Sequence, residues 1–396
     1  MIKELFIKSL GEKTFRENYS DIYRETVDEY EKDGVFFLSD AYIRSVNDET
    51  DAYPRILSLL REEAERIKEN PSLAEYALFI HKAMLRRNLF LSDIKHFSLP
   101  CGYDFFAFLC LIPAIRNTYR HFLKMGIDAD IIKATVGQFE ECVFIYSKRF
   151  DRLGMNKRYF DWLQHYVDFE ILNINRLRFE ISILSEPVRV IRNKKSRNDT
   201  VLIEEGDFNC DGLYLDTPPK KALSFSAHFN DGKDFISAHS VTPNGKAESA
   251  PSLYSKTEYE TVIKRGDTLL SVHIPDRGDF SRESCTESYR RAREIFNRFY
   301  PQLEVKGFVC YSWMMAPELK LHLKESSRVL AFAEHYIKFP IHTEGEDVLN
   351  FVFYLKSEDY EKLPENTSLQ KSLKKLYVSG GRLYEYGGIF AIDKIE

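Results

Sequence analysis

Residues 266–296, GDTLLSVHIPDRGDFSRESCTESYRRAREIF, bring two kinds of chemistry close together. A strand-like run at 269–274 ends on His273 and is followed by Pro275. His273 alternates with Ser271 and Leu269 on one side of that run, while Leu270, Val272 and Ile274 take the other. An imidazole with an ordinary pKa of about 6.5 can act as a general base. The alternative is a strand-end histidine bonded to backbone. The loop at 275–281 sets Arg277 and Gly278 just ahead of a helix. A helix N-terminus offers unpaired N–H groups and the positive end of a dipole, which suits phosphate. Glycine lets backbone come close to a ligand. The same loop also reads as an ordinary turn, and neither GxGxxG nor GxxxxGK[ST] occurs.

Two further groups belong to neighbouring runs. Glu180 lies on the polar face of an alternating segment, 176–184, where it either deprotonates an amine beside a cleft or pairs with Arg176 or Arg178. Tyr311, near the end of the run 307–313, could protonate a leaving thiolate. Cys310 beside it is either a nucleophile or a buried, inert thiol. Ser312 lacks the GxSxG elbow of serine hydrolases. The ten histidines show no HExxH or HxH spacing, so no metal is expected. Arg290, Arg291, Arg293 and Arg298 form either a solvated helix face or a contact for an acidic group.

The elements that must hold these residues follow from periodicity. The first 165 residues read as helical. In NPSLAEYALFIHKAMLRRNLF, Ser72 and Glu75 have capping-box spacing, followed by apolar residues at helical intervals. DFFAFLCLIPAIRNTYRHFLKMG ends on Gly126, a helix stop. The pattern changes near Asp168. RLRFEISIL has period two, with PVRVIRN as its expected hairpin partner. A series of strands and helices follows: strand 268–274, helix 284–299, strand 307–313, a helical stretch at 317–336, strand 348–355, helix 368–378 and strand 383–392. Ser284 with Glu287 and Thr367 with Gln370 have capping-box spacing. The amphipathic crossover helix requires the strands at 268 and 307 to be parallel. The expected class is α+β. A helical N-terminal domain, 1–165, precedes a mixed α/β sheet domain, 166–396.

Composition narrows the partners. The net charge is -5 and the pI about 6.1, which suggests neither nucleic acid nor an anionic membrane. Six cysteines without a CxxC pair read as free thiols of a reducing compartment. The opening MIKELFIKSLGEK lacks the apolar core of a signal peptide. The longest apolar run, 105–115, contains Pro113 and is too short to span a bilayer. A cytoplasmic protein is expected.

Three stretches carry a resemblance. RGDTLLSVHIPDRG, GFVCYSWMMAPEL and LPENTSLQKSL, in that order between Arg265 and Leu373, are similar to the recurrent motifs of bacterial acyltransferase-like proteins. Those proteins join a helical N-acyltransferase N-terminal domain to a GNAT-like C-terminal domain. The resemblance covers most of the chain. It implies an N-acyltransferase that moves an acyl group from acyl-CoA to a small-molecule amine. The thioester would lie where central strands splay, and the pyrophosphate on the following loop. Ile274, Arg277, Gly278 and Ser281 would hold the donor, with His273, Glu180 and Tyr311 placed for the chemistry. The chain departs from the family pattern in two places. The usual Arg/Gln-x-x-Gly-x-Gly/Ala loop is replaced by PDRGDFS, with Asp276 and Asp279, and Asn175 stands where Gly precedes Arg-Leu. The competing class is a non-catalytic ligand-binding protein on the same fold that has lost CoA binding.

Overall fold

The computed structural model describes residues 19–85, 99–276, 278–354 and 359–395, with Lys13 and Glu17. Arg277, residues 1–12 and the end of the first helical run, 86–90, lie outside the described residues. Two compact units, Met1–Asn173 and Ile174–Glu396, divide the chain.

No strand occurs before residue 150 among the described residues. Helix α1, Pro71–Leu85, is capped by Asn70, whose Oδ1 accepts from Leu73 N at 3.3 Å. Ser72 therefore sits inside the first turn instead of forming the expected cap. Pro71 opens the helix, a position whose N–H would have no helical partner anyway. Helix α2, Phe106–Met125, ends as expected at Gly126 with φ 84°. Pro113 is carried inside α2, which is buried continuously from Phe106 to Ile115. A proline there removes one backbone hydrogen bond, at a cost of about 3 kcal/mol. Burial of its apolar neighbours offsets that cost. No helix among the described residues is long and apolar enough to cross a membrane.

The second unit is built on a mixed sheet, as the alternating runs require. Five of its six strands are β1 Leu177–Ile183, β4 Thr268–His273, β5 Gly307–Ser312, β6 Ile337–Pro340 and β7 Tyr386–Ala391. Their spatial order is β1-β4-β5-β7-β6. β4 and β5 are parallel, and the other neighbours are antiparallel. A second sheet holds β2, Val188–Asn193, and β3, Asp199–Ile203. β2 is thus not the hairpin partner of β1. The edge it would need is taken by β4, and this pairing carries on past β1, with Leu184 N donating to Asp267 O at 3.0 Å. β2 pairs instead with β3 and with Tyr259–Ile263.

Helix α3, Arg282–Phe299, crosses from β4 to β5. Its buried stripe includes Cys285, Tyr289, Ala292 and Phe296. The Tyr289 ring meets Phe179 at 5.9 Å, Phe308 at 5.2 Å and Phe390 at 5.2 Å, each edge-on, which fixes α3 to one face of the sheet. The opposite face holds Leu269, Val309, Phe339 and Ile389, packed with Val190 and Val201 of the second sheet. Helix α4, Ser368–Val378, carries the expected capping box of Thr367 and Gln370. Two expectations fail near it. Residues 317–336 form a short 3-10 turn, Pro317–Leu321, and a helix, Arg328–Ala333. The apolar run from Val348 is a π-helical turn, Val348–Val352, rather than a strand. Its buried positions, Val348, Leu349 and Phe353, do not alternate.

Candidate active site

β4 and β5 pair only over Leu269–Gly307, Leu270–Phe308 and Ser271–Val309. β4 nevertheless stays paired with β1 as far as His273–Arg178, and β5 with β7 as far as Ser312–Tyr386. The two central strands therefore part beyond Ser271 and Val309. Alternate residues of a strand send their N–H groups to opposite neighbours, so past that point the groups of β4 aimed at β5 face an opening instead of a ladder. Pro275 follows two residues after His273 and cannot donate to any ladder.

His273 and Glu180 meet at this opening. Glu180 faces Ser271 across the antiparallel pair, which sets it diagonally from His273 on the same face. His273 Nε2 lies 2.6 Å from Glu180 Oε2, with the side chains 32% and 16% exposed. If Nε2–H donates to the carboxylate, Nδ1 carries the lone pair of the neutral ring. Tyr311 projects from the same face as Val309, hence from the same side of the sheet as His273 but on the other lip of the opening. Burial first, and then the Glu186 carboxylate, push its phenol upward. Cys310 faces the other way, and burial pushes its thiol up to about 12. A thiol held that high forms almost no thiolate at neutral pH.

The loop after β4 sits on an arginine that the sequence reading treated only as a possible partner of Glu180. Arg176 is 8% exposed. Its Nη2 donates to Pro275 O at 2.8 Å, and its guanidinium lies over the Phe280 ring at 4.9 Å. Nε and Nη1 are buried without a hydrogen-bond partner. Gly278, with φ 107°, rests above them, and a Cβ there would lie 3.5 Å from Arg176 Cδ. Burial lowers the guanidinium from its ordinary value. The alternation of RLRFE gave no sign of this, because Arg176 precedes β1 and turns under the loop. Asn175, in the place of the family glycine, has φ 53°, a left-handed conformation that asparagine tolerates. Its Oδ1 accepts from Arg291 at 2.9 Å.

Ser281 caps α3, its Oγ accepting from Ser284 N at 3.3 Å. The helix thus starts three residues earlier than the Ser284 box implies. Asp279 accepts from Ser281 N at 3.2 Å and Oγ at 2.5 Å, and also pairs with Arg328. Asp276 accepts from Tyr354 at 3.2 Å. Ile274 follows the last residue of β4, at the mouth of the opening. Of the arginines of α3, Arg290 pairs along the helix with Glu287 and Glu294, whereas Arg293 donates to Ile395 O at 2.6 Å.

No curated protein matches this chain detectably. Among solved structures, an acyltransferase in complex with decanoyl-CoA and teicoplanin aligns with a TM-score of 0.62 at 17% identity, covering 99% of this chain and 100% of that one. An acyltransferase mutant in complex with octanoyl-CoA aligns with the same score and identity, covering 99% of each chain. At such identities the likeness is one of fold. Residues 171–390, more than half of the sequence, match the GNAT-like C-terminal domain family, and the chain belongs to that family.

Proposed function

We propose that this protein is an acyl-CoA-dependent N-acyltransferase acting on a small-molecule amine. The observation that carries the reading is the parting of β4 and β5 beyond Ser271 and Val309, with His273 and Glu180 on one lip and Tyr311 on the other. Acyl-CoA supplies an acyl group activated as a thioester. The loop and helix start fit its pyrophosphate. Gly278 allows close approach, the first turn of α3 turns its N–H groups outward, and the guanidinium of Arg176 beneath the loop offsets the charges of Asp276 and Asp279. Ile274 borders the path between opening and loop, and Ser281 fixes the helix start. Arg277 is assigned a phosphate contact on sequence grounds.

The remaining roles fall to side chains at the opening. An amine that forms a C–N bond must lose a proton. His273 takes it on Nδ1, while Glu180 holds the ring and stabilises its charged form. Tyr311 keeps its proton at neutral pH because its phenol is pushed upward, so it serves as the donor to the sulfur released when the C–S bond breaks. Backbone N–H groups of β4 past Ser271 stabilise charge on the carbonyl oxygen. Dependence on CoA and six free thiols both favour a cytoplasmic setting.

The structural neighbours hold octanoyl-CoA and decanoyl-CoA, which makes medium-chain donors the first to test. A thermal-shift titration with octanoyl-CoA should raise stability by about 2.7 kcal/mol at 100 times Kd. Absence of any shift with acetyl-, octanoyl- and decanoyl-CoA would leave a non-catalytic ligand-binding protein as the better reading.

A further inference from the structure

We propose that the acceptor is a flexible amine carrying two or more positive charges, bound along an acidic groove that runs away from Tyr311. The assignment rests on the acyl-transfer reading for which end of the ligand reacts, and on the groove alone for binding.

Two adjoining cavities of the second unit share His342. The larger, about 660 Å³, is lined by three carboxylates, Glu186, Glu205 and Asp207. It has one guanidinium, Arg265, which lies 2.8 Å from Glu205 and is spent on it. The smaller, about 230 Å³, is lined by Tyr311 and by Glu344, Glu346, Asp347 and Glu385, with no lysine or arginine. The groove therefore begins at a residue of the opening and carries seven carboxylates against a single arginine. Its acids are held from behind. Glu385 accepts from Gly345 N and Asp347 N, and Asp207 from Ser226 Oγ.

A hydroxyl without a partner points to a ligand independently of the charge. Tyr214 lines the larger cavity, is 2% exposed, and its Oη is buried without a hydrogen bond. Glu186, Glu205 and Asp216 are the acids that act on it. Its ring stacks on His342 at 3.9 Å, and His342 Nδ1 lies 2.7 Å from Asp216. A buried oxygen left unpaired is costly, whereas an ammonium group would donate to it. Glu186 is likewise raised by burial, a cost that a bound cation would relieve.

The spread of the acids selects the class of cation. No three of these groups bring their ligand atoms within 4.8 Å of one another, as a metal ion would need. Charges strung along a groove match a chain of separated ammonium groups instead. An uncharged acceptor would leave the acids repelling one another.

Spermidine serves as the probe, with butylamine as the singly charged control, titrated calorimetrically without any acyl donor. Spermidine should bind at least roughly tenfold more tightly than butylamine, since each exposed ion pair adds a few-fold. That preference should fade between about 0.1 and about 1 M salt, as the screening length falls from ~10 to ~3 Å. Replacing two solvent-facing acids, Glu344→Gln with Glu346→Gln, should remove most of the preference while octanoyl-CoA binding stays unchanged. Tyr214→Phe should weaken spermidine without lowering the melting temperature, because it deletes an oxygen that bonds nothing in the free protein. Equal binding of the two amines, or a preference untouched by the double substitution, overturns the proposal. Spermidine binding without octanoyl-CoA binding would instead refute only the acyl-transfer reading, and the reverse result only this one.

Discussion

If Glu180 acts through His273, removing the histidine must make the carboxylate irrelevant. Glu180→Gln keeps the volume and removes the charge. The bond it weakens is short, 2.6 Å, but both partners keep some solvent, 32% and 16%. Hydrogen bonds to charged groups contribute about 1.5–3 kcal/mol when protected, and exposed ion pairs at most about 1 kcal/mol. A half-protected pair falls near 1.5 kcal/mol, or roughly tenfold in rate. His273→Ala removes the base itself and should lower kcat by about 10²- to 10⁴-fold. In the His273→Ala background, Glu180→Gln should cost nothing further, so the coupling energy should equal the whole single-variant effect. The assay is kcat under saturating octanoyl-CoA and spermidine, with the Kd of octanoyl-CoA measured separately and expected to hold. A Glu180→Gln penalty of equal size in both backgrounds would refute the pairing. So would a His273→Ala protein that differs only in melting temperature.

Arg176→Met keeps the bulk beneath the loop and removes its charge; the Kd for octanoyl-CoA should rise by roughly tenfold with kcat little changed, as an equilibrium titration would show. Arg192 is buried against Asp199, with bonds of 2.5 and 2.8 Å, and also meets Asp393. Arg192→Met leaves the buried Asp199 with Lys394, at 3.7 Å, as its only ion-pair partner among the described residues and should cost about 3 kcal/mol in urea unfolding. In the first unit, burial lowers His81 to about 4 and raises Glu63 to about 7. The histidine favours the unfolded state as pH falls from about 6.5 to about 4, and the glutamate favours it as pH rises from about 4.5 to about 7. These slopes oppose each other between about pH 4.5 and 6.5. Stability there should be flat in the wild type, while Glu63→Gln should make it fall with acid by up to about 1.4 kcal/mol per pH unit and His81→Phe should make it fall with base.

What was legible in the sequence followed from strong periodicity. The alternation of RLRFEISIL and the stripe of Cys285, Tyr289, Ala292 and Phe296 each have one face to bury, so the strand, the helix and the parallel pairing of β4 with β5 could be stated in advance. The misses arose where sequence proximity competes with edges already occupied. β2 follows β1 closely, yet β4 holds the edge that a hairpin would need. The run from Val348 to Phe353 is too short and too evenly apolar to choose between a strand and a wide helical turn. Caps were misplaced by two or three residues wherever a second candidate lay nearby, as with Asn70 and Ser72 or Ser281 and Ser284. At the candidate site, His273 and Tyr311 stand at or near the end of a readable strand and Glu180 on the polar face of another, so local pattern alone suffices to single them out. It does not single out Arg176, Tyr214 and His342, because they matter through contacts between residues about a hundred or more apart, which no local pattern encodes.

The loop after β4 shows how a sequence departure can be misread. Counted along the chain, PDRGDFS has one glycine and two aspartates, which argues against a pyrophosphate. Counted in space, both carboxylates are engaged. Asp279 accepts from Ser281 and faces Arg328, and Asp276 accepts from the Tyr354 hydroxyl. Arg176 and Arg328 bring two positive charges to the same loop, so its two acids are balanced before Arg277 is counted. A glycine-rich loop binds phosphate largely with backbone N–H groups, which the missing side chains let come close to the ligand. Here a buried guanidinium with two nitrogens lacking partners supplies the field from below. The missing glycines therefore weigh less against acyl-CoA than the orphaned arginine weighs for an anion. That balance, together with strands that part beyond Ser271 and Val309, favours the enzyme over a binding protein that has lost its donor.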